Sequence, residues 1–143
     1  MIFVDTSFFA ALLLPKDANH LRAVRAVEEL GQTRLSDILL TTNSVILETI
    51  TVARYEGNHK TAVRAADLLY GGTMARLYRT TAEDEAEAVA YLRRHHDKEY
   101  SAVDCLSFVV MLKHGITEAF AFDEDFSHRF VMRPGPTRTQ PSA

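Results

Sequence analysis

Cysteine is almost missing from this 143-residue sequence, where Cys105 stands alone. That excludes any disulfide within the chain and fits a reducing compartment. A surplus of positive charge is missing too: the net charge is −3, so no broad basic surface marks a nucleic-acid binder. Long hydrophobic runs are absent as well. The run from Phe8 to Leu14 has the look of a signal-peptide core. However, an acid (Asp5) rather than a base precedes it, Pro15 and Lys16 end it, and it is far too short to span a bilayer. It reads as a buried helix, and the chain as a cytoplasmic protein with no membrane association. Internal repeats, low-complexity core segments and an interdomain linker are also absent.

What is present is globular composition, with 47% apolar and 24% charged residues, enough for one domain with a sizeable core. The expected domain covers residues 1–133. The stretch 134–143 holds three prolines and no apolar pattern, and is expected to be a mobile tail.

Strand and helix signals alternate along the chain. Met1–Val4 is a continuous apolar run suited to a strand buried on both faces. A helix follows to Leu14 and stops at Pro15. A second helix, from about His20 to Leu30, carries Leu21, Val24, Val27 and Leu30 at helical spacing and ends at Gly31. Ile38–Thr42 reads as the second strand. A helix capped by Asn43 or Ser44 runs to about Glu56 and is closed by Gly57. Another spans roughly Lys60–Tyr70. Ala75–Arg79 is a third strand, and Thr81 with Asp84 forms a capping box opening a helix through Arg94. Ser101 with Asp104 forms a second box, opening a helix to His114 that ends at Gly115. Ala119–Phe122 is a fourth strand and Phe130–Arg133 a fifth. The pattern predicts an α/β fold, with a parallel sheet of four to five strands covered by helices on both faces.

In such a sheet, ligands bind beyond the carboxyl ends of the strands. Asp5 follows the first strand and Asp123 the fourth, so both belong to that edge. Taken singly, each is an ordinary turn or capping residue. Glu48 is less ordinary, because it shares a helix face with Val45, Val52 and Tyr55, where a solvated acid is out of place. Asp104 shares its face with Phe108 and Met111, although its capping box with Ser101 is the stronger account of it, and the two readings are compatible. Converged carboxylates repel one another and persist only around a cation. All-oxygen donors select a hard ion, Mg²⁺ or Mn²⁺, over zinc, and no Cys/His set has zinc spacing. Such an ion suits phosphate substrates and activates water for in-line attack, making phosphodiester hydrolysis the natural reaction class.

The acids in the contexts Val4-Asp5-Thr6-Ser7, Leu47-Glu48, Ser101-Ala102-Val103-Asp104 and Phe122-Asp123-Glu124-Asp125-Phe126 resemble the PIN-domain family, most strongly its VapC-type toxins. The likeness runs from Met1 to about Arg133. It implies a PIN-like three-layer sandwich and an endoribonuclease needing Mg²⁺ or Mn²⁺, with Asp5 and Asp104 as principal metal ligands. Glu48 then helps to hold the metal's water, and Asp123 is the fourth acid, preferred to Asp125 because it lies nearer the strand end. Thr6 or Ser7 matches a small hydroxyl residue beside the first Asp, and Ser101 a hydroxyl three residues before the third acid. Ala121 departs from the pattern, standing where the family often has Thr or Ser. The resemblance also implies a homodimer and a cognate antitoxin protein lying across the acidic site, with RNA as substrate.

Three other readings compete. One is a PIN nuclease of RNA maturation, the second a catalytically idle PIN fold used for binding. The third is a phosphatase with an aspartyl nucleophile, which would need an Asp where Ser7 stands. Arg54, Arg76, Arg79, Arg93, Arg94, Lys98 and Lys113 are available for phosphate contacts, and each is equally an ordinary surface cation. Cys105 reads as a small buried hydrophobe.

Overall fold

The structure, a computed structural model, describes residues 1–135; the expected mobile tail falls mostly on residues 136–143, outside the described ones. Five strands form a single all-parallel sheet. They are β1 (Ile2–Val4), β2 (Leu39–Thr42), β3 (Arg76–Tyr78), β4 (Glu118–Phe120) and β5 (Val131–Arg133), in the order β3-β2-β1-β4-β5. β1 is central, and Phe3 and Val4 are wholly buried, as a strand covered on both faces requires. Its register sets Phe3 against Leu40 on one side and Ala119 on the other.

Helices α1 (Thr6–Leu13), α2 (His20–Glu28) and α3 (Leu35–Ile38) connect β1 to β2, and α4 (Asn43–Val52) and α5 (His59–Tyr70) connect β2 to β3. α6 (Ala82–Arg94) and α7 (Ala102–Lys113) carry the chain back across to β4. Right-handed crossovers put α1, α2, α4 and α5 on one face of the sheet and α6 and α7 on the other. The packing agrees, with α1 against α2 and α4, α4 against α5, and α6 against α7. The three-layer α/β expectation is met. α7 is buried from Asp104 through Met111, so it forms the centre of its layer.

Several element ends differ from the sequence reading. α3 is a single helical turn, too short to leave a periodic signal. α4 is capped by Thr42, the last residue of β2, whose hydroxyl accepts from Val45 N at 3.2 Å; neither Asn43 nor Ser44 is the cap. α4 gives way after Val52 to a π-helical turn, Ala53–Gly57. That turn rotates Tyr55 out to 82% exposure, so the apolar stripe containing Glu48 ends at Val52. Gly57 is there for space rather than for a left-handed backbone: a Cβ on it would meet Leu14 Cδ2 at 3.0 Å. Gly115 does end α7 in the left-handed region, at φ +66°.

The sheet order places the topological switch at β1, where the chain leaves for β2 on one side and returns to β4 on the other. The crevice of such a fold opens between the carboxyl ends of those strands.

Candidate metal centre and catalytic cleft

Asp5 directly follows β1, and its backbone N–H continues the sheet by donating to Phe120 O at 3.0 Å. Its side chain caps α1: Oδ2 accepts from Ser7 N at 3.1 Å and from the Ser7 hydroxyl at 2.6 Å. The Ser7 hydroxyl in turn accepts from Phe122 N at 2.9 Å, tying the ends of β1 and β4 together. Ser7 is therefore the residue that orients Asp5. The neighbouring Thr6 hydroxyl is buried without a protein partner.

Asp104 enters from α7, held in the capping box by mutual bonds with Ser101 (3.1 and 3.0 Å). Asp123 lies beyond β4 and caps a 3₁₀ turn, Glu124–His128, by accepting from Asp125 N at 2.9 Å. Glu48 reaches in from α4. Asp5, Glu48, Asp104 and Asp123 all line one open cleft of about 300 Å³. The carboxylates of Asp104, Asp123 and Asp125 each place an oxygen within 4.8 Å of the others. Asp125 thus stands with Asp123 beside Asp104, while of the two only Asp123 lines the cleft. Asp17 and Glu56 also line the cleft, and sequence reasoning missed both. Glu56 had a signal, since it follows Glu48 by two further steps of four along one helix face. Asp17, in a loop, had none.

Electrostatics mark this cluster as strained. Asp5 is 3% exposed, and its carboxyl is pushed up to about 7, chiefly by burial and further by the charge of Asp104. Asp104 is pushed up to about 6 by burial and by Asp123 and Asp125. Asp125 is raised by burial and by Asp123. Converging acids that resist ionisation near neutral pH are the arrangement a divalent cation relieves. The donors are all oxygens, and the unpartnered Thr6 hydroxyl sits beside them. The set therefore fits a hard ion such as Mg²⁺ or Mn²⁺. Ala121, buried and without a side-chain donor, leaves to Ser7 the hydroxyl bridge between the two strand ends. Cys105 is wholly buried and its thiol is pushed up by burial, as expected of a packing residue.

A parallel sheet with an acidic cleft at its switch point is an arrangement that suits metal-assisted phosphodiester chemistry. The comparisons narrow this: the PIN-domain family model matches residues 2–129, and the chain belongs to the PIN-domain family. It is 43% identical over 127 residues to the 23S rRNA-specific endonuclease VapC20 of Mycobacterium tuberculosis, covering 89% of this chain and 92% of that protein. The crystal structure of that VapC20, described as a toxin cleaving the sarcin–ricin loop, superposes with a TM-score of 0.81 at 41% identity, over 90% of this chain and 94% of that one. FitAcB from Neisseria gonorrhoeae shares the fold, with a TM-score of 0.62 at 18% identity over 94% of this chain and 98% of that one.

Proposed function

We propose that this protein is a divalent-metal-dependent endoribonuclease and the toxin of a toxin–antitoxin pair, with the sarcin–ricin loop of 23S rRNA as its substrate. The observation that carries the reading is the meeting of Asp104 and Asp123 in one cleft with Asp5 and Glu48, with Asp125 clustered against the first two. The substrate follows from the likeness to VapC20 over nearly the whole chain.

Asp5, Asp104 and Asp123 would hold the ion, with Asp125 beside them. Mg²⁺ or Mn²⁺ bound there would supply water activation and neutralise charge building on the phosphate. Ser7 fixes the Asp5 carboxylate by its 2.6 Å bond, and Ser101 fixes Asp104. Glu48, half-buried on the rigid α4, accepts a proton from the attacking water. Asp5 and Asp104, both raised by burial, would release protons on ligating the ion, so metal affinity would rise with pH.

The partner in the cell is a cognate antitoxin protein that covers the acidic cleft, the active form is a homodimer, and the protein acts in the cytoplasm. No helix among the described residues is long and apolar enough to cross a membrane. The test is incubation of the purified protein with total RNA, with Mg²⁺ and with chelator. Discrete cleavage of 23S rRNA that chelator abolishes is expected, and intact RNA under both conditions would refute the reading. Expression without the antitoxin is expected to arrest growth.

A further inference from the structure

Half of the twelve residues lining the catalytic cleft are acids (Asp5, Asp17, Glu48, Glu56, Asp104 and Asp123), and none is basic. A bound ion neutralises only part of that charge, so a polyanion needs cations nearby to settle there. The cations suggested by sequence are in part committed elsewhere: Lys113 bonds Asp84 at 3.0 Å, and Arg76 faces Asp37 at 3.9 Å.

Arg22, on α2, differs. A second cleft of about 510 Å³ adjoins the acidic one, sharing Asn19 and Phe122 with it, and Arg22 is the one base on its wall. Among the described residues no carboxylate pairs with Arg22, despite the acids around it. Its guanidinium lies over the Phe122 ring, 5.2 Å from the centroid. Phe122 stacks on Phe8 at 5.7 Å, and Phe8 on Phe120 at 4.5 Å, so the core itself positions the guanidinium. Two of its five N–H groups are engaged by neutral oxygens, Asn19 Oδ1 at 3.3 Å and Gly135 O at 2.7 Å. The planar fork retains donors and its full charge, which matches a phosphate.

We infer that Arg22 is a substrate-positioning residue that holds an RNA phosphate next to the scissile one, so that the strand runs from the acidic cleft past Phe122 into the adjoining cleft. The inference rests on the endoribonuclease reading above. Arg22 touches no group that reacts; it fixes the register in which a phosphodiester meets the carboxylate cluster.

The test is steady-state cleavage of an RNA hairpin carrying the sarcin–ricin loop sequence, in Mg²⁺ over a range of salt, by wild type, Arg22→Ala and Arg22→Lys. KM is expected to rise on the order of tenfold in Arg22→Ala with kcat little changed, and the slope of log(kcat/KM) against log[salt] to flatten by about one. Arg22→Lys keeps the charge and loses the fork, so its KM falls between the two. A purely structural Arg22 would lower the melting temperature of both variants and leave KM and the salt slope at wild-type values; that result overturns the inference alone. Wild type that cleaves no RNA in Mg²⁺ overturns the endoribonuclease reading, and this inference with it.

Discussion

Two aspartates in this fold occupy the same local structure and carry opposite electrostatics. Asp84 opens α6 in a capping box with Thr81, and Asp104 opens α7 in a capping box with Ser101. Both are buried, at 1% and 8% exposure. Burial alone pushes each carboxyl up. At Asp84 the backbone N–H of Thr81, the Tyr78 hydroxyl at 2.7 Å and Lys113 at 3.0 Å outweigh that, and hold it well below the usual carboxylate range. Lys113 is raised in turn by its bonds to Tyr78 and Asp84. At Asp104 the nearest charges are Asp123 and Asp125, and the carboxyl stays high. Asp84 is satisfied by the protein and locks α6, α7 and β3 together. Asp104 has the Ser101 N–H bond but, among the described residues, no cation pairs with it, which distinguishes a ligand in waiting from a structural acid.

Exchanging the acids breaks this comparison most directly. Asp104→Asn is expected to cut RNA cleavage by more than about a hundredfold, beyond the usual cost of losing a supporting contact to a metal ligand. Its metal-free melting temperature should match or exceed that of wild type, because repulsion is removed. Asp84→Asn should do the reverse. Cleavage well below the melting point stays near wild type, while stability falls by about 2 kcal/mol for lost charge-assisted bonds. That is roughly 6 °C in a domain of this size. Activity assays paired with thermal melts read both. A dead, unstable Asp84→Asn or a fully active Asp104→Asn would erase the distinction.

Metal should act on one region only. Millimolar Mg²⁺ or Mn²⁺ is expected to raise the melting temperature, by about 2.7 kcal/mol of added stability at a hundredfold excess over Kd. Chelator should reverse this, and Asp104→Asn should lose it while Asp84→Asn keeps it. Calorimetry with each ion separates the outcomes.

The last effect is in pH. Asp5 and Asp104 titrate near 7 and 6 in the folded protein and near 3.8 unfolded, so the folded state holds more protons across that window. Stability of the metal-free protein should therefore decline as pH rises from about 4 to 7. Asp84 has the opposite sign: its contribution is present above its unfolded value and is lost as pH falls. Denaturant melts from pH 4 to 8 should show the decline in wild type and a weaker one in Asp104→Asn.

Most of the sheet and four of the cleft acids were legible because short continuous apolar runs, capping boxes and acids at strand ends are local signals. Asp5 and Asp123 could be placed at the carboxyl edge of the sheet from their strands alone. What stayed hidden depends on geometry between elements. Both capping boxes read alike in sequence, and only the fold brings Lys113 to one and Asp123 to the other. The π turn after Val52 turns Tyr55 outward, against the helical period. Asp17 reaches the acidic cleft from a loop, and Arg22 the adjoining cleft from α2, by packing that no spacing encodes.

The most direct measurement is anomalous scattering from a crystal of the protein soaked in Mn²⁺. A peak shared by the carboxylates of Asp104 and Asp123, with Asp5 or Asp125 in its coordination shell, is the predicted result. Ordered Mn²⁺ elsewhere on the surface, with that cluster holding none at saturating metal, would contradict it.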